Sequence, residues 1–412
     1  MDTNRLKEIE AETLSNFKKH RPSEYFSHLD DTKVFNDFQK QVESIYRYGI
    51  CFPPELFDGK NLIDLGSGTG DWIIFSAIWG AKCTLVEIND DAIDIAKKVF
   101  KKYAPKYEDH DFINSSLFDF NYPRYKEKFD IAHSRGVLTH VADKERGFKI
   151  LASLIKPGGY LIFSDRNTAG GIQEMLQRFA IYQLGGVNDE KIVEISEALF
   201  SDDIDRSVKA IPRTREAVIF DRWTIQQQDD PSVEEILSFF KKNGIEYVSS
   251  WPNIEYPGRG ASSVTNPLEI DDSTLIKGSR LIENLWLILN KGDQENLESI
   301  AGSILDNSYL EKFSKLENDL RCCRIDTALG INDLSSTFGD LKELISDVNF
   351  EKDNSLKNRL KIFFDEVIKF CELIDDKKDL VTIREQIDKF NILFKGYNGV
   401  RDVLFLGYKK KN

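Results

Sequence analysis

Cysteine is scarce, with five in 412 residues at Cys51, Cys83, Cys322, Cys323 and Cys371, and no spacing recurs among them. A sparse, odd count in a chain this long argues against a disulfide framework and predicts a reducing, cytoplasmic setting. The adjacent Cys322 and Cys323 read as two ordinary thiols on a helix. No His/Cys/Asp cluster has metal-ligand spacing, so no metal is expected. No apolar run approaches ~18 residues, which argues against a membrane span. The polar opening MDTNRLKEIE predicts no signal peptide. Positive charge is also in deficit, with 56 Lys and Arg against 69 Asp and Glu and a formal net charge of −13. Phosphate backbones and anionic lipid repel such a chain, so neither nucleic acid nor a membrane is expected as a partner. Residues 291–412 hold 20 basic and 23 acidic side chains, so most of the acidity lies before them.

Hydrophobic residues make up 41% and aromatics 11%, enough for a buried core, and the length predicts two or three domains. Residues 3–19 and 31–46 carry apolar side chains at helical spacing, predicting an N-terminal helical cap over 1–56. From 61 onward, short β-branched runs alternate with helical stretches, the pattern of βα units and a parallel sheet. Predicted strands are Asn61–Leu65, Cys83–Glu87, Asp111–Asn114, Phe129–His133, Tyr160–Ser164 and Ile245–Trp251. Helices are predicted near Asp71–Trp79, Asp90–Tyr103 and Lys144–Leu154. Ser232 and Glu235 form a capping box, and Asn243-Gly244 closes the helix that it opens. These segments place a core domain over 57–258, with a less regular insertion at about 167–230. The stretch Pro257 to Asp272 reads as a linker, followed by a helical C-terminal domain, so that 259–412 carries no further strand.

The most informative segment is Asn61-Leu62-Ile63-Asp64-Leu65-Gly66-Ser67-Gly68-Thr69-Gly70. An apolar strand runs into three alternating glycines, where backbone can approach a ligand closely. Nicotinamide, flavin and methyl-donor sites all use such a loop. Asp64 sits two residues before the first glycine, where it would repel a pyrophosphate but attract an ammonium. S-adenosylmethionine has an amino-acid end, a sulfonium and no phosphate. Glu87, about twenty residues past the loop, is placed to accept the hydroxyls of a ribose, which serves either nucleotide or methyl donor.

With these residues the sequence resembles the class I S-adenosylmethionine-dependent methyltransferases. Asp64–Gly70 looks like their first motif and Glu87 like their ribose-binding acid. Phe129–Val141 resembles their fourth-strand segment, and Leu154-Ile155-Lys156-Pro157-Gly158-Gly159 their turn into strand five. The resemblance covers about residues 45–255. It implies an α/β, Rossmann-like doubly wound, mostly parallel sheet, with S-adenosylmethionine as cofactor and S-adenosylhomocysteine as product. It also implies cofactor contacts from Gly66, Ser67 and Gly68, with Asp64 and Ser134 near the methionine end and Ile88 and Leu117 against adenine. Ser116 stands where the family often has an acid that contacts the adenine amino group.

Methyl transfer needs alignment, and a base only if the nucleophile carries a proton. His140 is the candidate base, while Arg135 and Arg166 are candidates to hold an anionic group on the substrate. Tyr46, Arg47 and Tyr48 are read as either a lid or core packing. Arg213-Thr214-Arg215 and Asp221-Arg222-Trp223 lie where the insertion would shape substrate choice. The fourth-strand segment lacks both an Asn/Asp-Pro-Pro-aromatic sequence and a Pro-Cys pair, which argues against methylation of bases or glutamine. The expectation is transfer to an oxygen or nitrogen of a small-molecule acceptor, on the branch acting on quinones, sugars and other metabolites. Two alternatives stay open: a protein methyltransferase that docks its target through the C-terminal helices, and a non-catalytic regulator that binds S-adenosylmethionine. The same helices are candidates for homodimerisation or for another protein partner.

Overall fold

The computed structural model describes residues 3–20, 31–120, 122–210, 214–225, 227–254, 272–288, 313–316, 336, 338–343, 355–395 and 402–411. Cys322, Cys323, Arg213, residues 257–271 of the expected linker and the stretch 289–312 lie outside them.

Two helices lead, α1 (Thr3–His20) and α2 (Thr32–Ser44). Then β1 (Asn61–Leu65), α3 (Ile74–Ile78), β2 (Lys82–Glu87), α4 (Asp90–Tyr103), β3 (Asp111–Asn114) and α5 (Tyr122–Tyr125) form the first half of the sheet layer. β4 (Phe129–Arg135), α6 (Lys144–Leu154) and β5 (Ile155–Arg166) complete the parallel part. With β6 (Ile245–Trp251) and β7 (Asp402–Lys409), the sheet among the described residues has seven strands in the order β3-β2-β1-β4-β5-β7-β6. Its strands are nearly continuous apolar runs because helices cover both faces, so β1 and β2 are buried along all but their first residue.

Local chemistry sets the helix ends. In α4, Asn89 accepts from Asp91 N–H, Asp90 and Asp91 occupy the first turn, and Lys101 and Lys102 the last, all complementing the helix dipole. Its buried stripe of Ile93, Ala96, Val99 and Phe100 packs on one face of the sheet with Phe35, Phe75 and Ile131. The other face is covered by α6, α10 (Val233–Lys242) and α11 (Asp272–Ile288), whose Phe148, Phe240 and Trp286 share a core with Leu161 and Phe405. Ser232 caps α10 by accepting from Glu235 N–H at 3.1 Å, while the Glu235 carboxylate turns to Lys144 at 3.0 Å.

The insertion is regular: it forms α7 (Thr168–Gly185), α8 (Asp189–Ala210) and α9 (Arg215–Trp223). These helices share one apolar core with α12 (Ser355–Asp375) and α13 (Leu380–Lys389), through residues such as Phe179, Trp223, Phe364 and Phe370. Glu366 of α12 accepts the backbone N–H groups of Ile392 at 2.9 Å and Leu393 at 2.8 Å. Gln173 of α7 accepts from Phe394 N–H at 2.9 Å.

One expectation about organisation needs correction. β6 (Ile245–Trp251) is not the last strand of the sheet. β7 (Asp402–Lys409) runs antiparallel between β5 and β6, pairing Phe163 with Phe405 and Trp251 with Leu404. The region from 259 onward is therefore not helical throughout, and its final strand belongs to the core sheet. Val403, Leu404, Phe405 and Leu406 are buried there. Gly407 makes the fit possible, since a Cβ on it would lie 2.5 Å from Ile245 Cγ2.

Candidate functional site

A cavity of about 860 Å³ opens at the carboxyl ends of β1, β2 and β4. At this edge of a doubly wound sheet, loops leave in opposite directions and a crevice results. Gly66, Ser67, Gly68, Glu87, Ile88, Ser116, Leu117, Arg135 and His140 all line it, although they come from four separate segments.

The glycine loop is held by the neighbouring strand: Gly66 N–H donates to Val86 O at 2.8 Å and Ser67 N–H to the same oxygen at 3.2 Å. Gly66 has φ +73°, and a Cβ there would sit 2.4 Å from Val137 Cγ2, so only glycine fits. Gly68 N–H donates to Glu87 Oε2 at 2.8 Å, and Asn89 N–H to Oε1 at 2.9 Å. Burial still pushes the Glu87 carboxyl up from its ordinary value. The hydroxyls of Ser67 and Thr69 are buried in the cavity wall with no partner.

Asp64 and Ser134 do not line this cavity. Asp64 stands directly across from His133 in the β1–β4 register, and His133 Nδ1 donates to its carboxylate at 2.7 Å. Ser134 Oγ donates to Leu65 O at 3.0 Å, tying β4 to β1. Both residues lie beneath the loop. Next to the glycine loop, the cavity wall instead carries Asp71, one residue past the third glycine. Its carboxyl is pushed up by burial, against the pull of Arg135. Its position directly after Gly70 was the signal available in the sequence.

At the other end stand His140, Arg135, Trp72, Phe17, Phe38, Trp251, Asp221, Asp402 and Leu404. The Arg135 guanidinium lies 4.1 Å from the ring centre of Trp72, a cation–π contact. His140 is half-buried, with Nδ1 3.0 Å from Gln227 O and its ring edge-on to Phe17 at 5.8 Å. A carbonyl only accepts, so Nδ1 carries the proton and Nε2 is the basic atom. Burial, helped by Arg166, holds the imidazole below the usual histidine range.

Arg166, Arg215 and Arg222 are taken up in ion pairs. Arg166 pairs with buried Glu174 at 2.5 Å, and Arg222 pairs with the same carboxylate at 3.2 Å. Trp223 is fully buried, and Arg215 pairs with Glu197. Tyr46 is fully buried and accepts from Trp72 Nε1 at 3.1 Å, whereas Tyr48 is exposed and Arg47 pairs with Glu43 and Glu55. Of the three, Tyr46 packs in the core and none lines the cavity. Behind His140, Asp165 accepts from Thr139 N–H at 2.9 Å and Arg166 N–H at 3.0 Å. Burial and neighbouring Asp230 push its carboxyl up to about 8.

A protein family described as a methyltransferase domain matches residues 38–195. A ubiquinone biosynthesis O-methyltransferase of Coxiella burnetii is 36% identical over 110 residues, 26% of this chain and 44% of that protein. A protein of the same name from Vibrio atlanticus is 26% identical over 33% of this chain and 52% of its own length. A malonyl-acyl-carrier-protein O-methyltransferase of Ilyobacter polytropus is 25% identical over 33% and 54%, respectively. The chain thus spans about half the length of the curated relatives it matches.

Proposed function

We propose, from the premise that the core of this chain is a class I S-adenosylmethionine-dependent methyltransferase domain, that it transfers a methyl group to an oxygen or nitrogen of a small-molecule acceptor. One observation carries the reading. Glu87 and the glycine loop are hydrogen-bonded to each other on the wall of one large cavity, beside hydroxyls left without a partner. Its volume lies within the ~300–1,000 Å³ of small-molecule sites. The donor set is polar and uncharged or acidic at the loop, which fits a phosphate-free nucleoside with an amino-acid end.

In this reading Glu87 holds the ribose hydroxyls, Ser67 and Thr69 give their free hydroxyls to the ligand, and Ile88 and Leu117 pack on the base. Asp71 takes over the role expected of Asp64 and faces the ammonium. When bound, S-adenosylmethionine supplies an electrophilic methyl on a sulfonium. Arg135, braced on Trp72, orients the acceptor end, and His140 takes the acceptor's proton on Nε2. Phe17, Phe38, Trp72 and Trp251 exclude water and suit a flat apolar acceptor, in keeping with the O-methyltransferase names of the relatives. The thiols of Cys51, Cys83 and Cys371 are free, which suits a reducing cytoplasm. No helix among the described residues is long and apolar enough to cross a membrane.

Thermal-shift and calorimetric titrations test the cofactor. S-adenosylhomocysteine is expected to stabilise the protein, and Glu87→Ala to weaken its binding by about tenfold or more, the worth of hydrogen bonds to a charged group. Stabilisation by NAD(H) with none by either adenosyl compound would sink the reading.

A further inference from the structure

α1 is part of the cavity wall. Glu10, Thr13, Leu14, Phe17 and Lys18 line it, and their spacing of three, one, three and one residues places them on a single helix face. The helix spans both ends of the site: Phe17 meets His140, while Glu10 receives the hydroxyl of Ser116. Lys18 pairs with Asp90 and Asn16 with Thr224, which fixes the helix across the opening. Thr13 Oγ1, one turn beyond Glu10, is buried without a partner on that face.

The bonding of Ser116 is informative. Its only proton goes to Glu10 Oε1, and its oxygen already accepts from Phe118 N–H at 3.1 Å. Ser116 is thereby the post that orients Glu10, and the carboxylate keeps most of its acceptor capacity. Burial pushes the Glu10 carboxyl up, while Ser116, Arg146 and Lys7 draw it down and Asp119 opposes them. Resting on the cofactor reading above, a ribose at Glu87 puts the base on the next stretch of wall, Ile88 and Ser115–Leu117, where Glu10 arrives from α1.

We propose that Glu10 reads the base of the bound nucleoside, its carboxylate accepting from the exocyclic amino group of adenine. A carboxylate cannot donate, so it favours an amino group and opposes a carbonyl at the same position. The N-terminal helix then supplies an acid at the position where the loop after β3 has Ser116, and base recognition is completed only when α1 lies across the cavity.

The test compares calorimetric affinities for S-adenosylhomocysteine and S-inosylhomocysteine, which differ by that amino group, in the full-length wild type and in Glu10→Gln. The wild type is expected to prefer the adenosyl compound by about ten- to a hundredfold. Glutamine can donate as well as accept, so Glu10→Gln is expected to bind the two compounds within about threefold of each other. A wild type that binds both alike overturns the proposal without recourse to any variant. So does a Glu10→Gln protein that keeps wild-type affinity and preference, which would leave the cofactor reading intact. Failure of the wild type to bind either compound removes the cofactor reading and this inference together.

Discussion

At the residue scale, a hydrogen bond to a carbonyl decides which nitrogen of His140 is the base, because Gln227 O can only accept. The imidazole is held below its ordinary range by burial and Arg166, so it stays neutral at and above about pH 6.5. The methyl-transfer rate is therefore expected to be flat through neutrality and to fall only on the acid side of that value. His140→Ala should abolish the acid limb and lower turnover by about 10²–10⁴-fold. Unchanged turnover would remove His140 from the mechanism. Asp165 behaves in the opposite way. Its folded pKa is raised from 3.8 to about 8, so the stability it contributes is complete below about pH 4 and lost as pH rises through 8. Between about pH 4 and 8 each further pH unit costs up to about 1.4 kcal/mol, and above 8, where both states are ionised, the loss is complete. Asp165→Asn keeps an acceptor for Thr139 N–H and is expected to flatten the fall in melting temperature between about pH 5 and 8. A variant whose melting temperature falls as steeply as the wild type would show that Asp165 is not the group responsible.

At the scale of elements, what could be read in the sequence was what is encoded locally. β1, β3, β6, α4 and α6 occupy the predicted residues, because apolar runs, the Asn89 cap and the turn glycines lie within each segment. The segments on the cavity wall were legible for the same reason, since loops at the carboxyl edge of a parallel sheet converge. Facts of register and partner were not. Asp64 was expected at the ligand, but its side chain is taken up by His133 across the strand pair, a residue 69 positions away. β7 was missed although Val403–Leu406 is a strand-like apolar run, because its partners β5 and β6 lie more than 150 residues earlier. α1 was legible as a helix, but its cavity face mixes Glu10, Thr13 and Lys18 with Leu14 and Phe17, and so has no simple apolar stripe. A face that meets a polar ligand on one side and an aromatic pocket on the other has no reason to be uniformly hydrophobic.

At the scale of the whole molecule, the surplus length is an insertion between β6 and β7, not an appendage. Its helices α12 and α13 complete the core of α7–α9, and the chain then returns to the sheet between β5 and β6. α9 brings Asp221 and β7 brings Asp402 and Leu404 to the cavity wall, so the helical layer and the catalytic layer share one site. A deletion of residues 293–412 consequently cannot separate docking from catalysis, because it also removes β7, a strand paired on both sides. Deleting 402–412 alone is the sharper test. It would uncover the paired edges of β5 and β6 and expose the apolar neighbours of Phe405, among them Phe240. Loss of one buried Phe costs about 3–5 kcal/mol, and four consecutive buried residues leave together here, against a typical total of about 5–15 kcal/mol. The truncated chain is expected to show no cooperative thermal transition and no stabilisation by S-adenosylhomocysteine. A shortened protein that still unfolds cooperatively and still responds to that compound would mean that β7 is dispensable and that the core closes with β6.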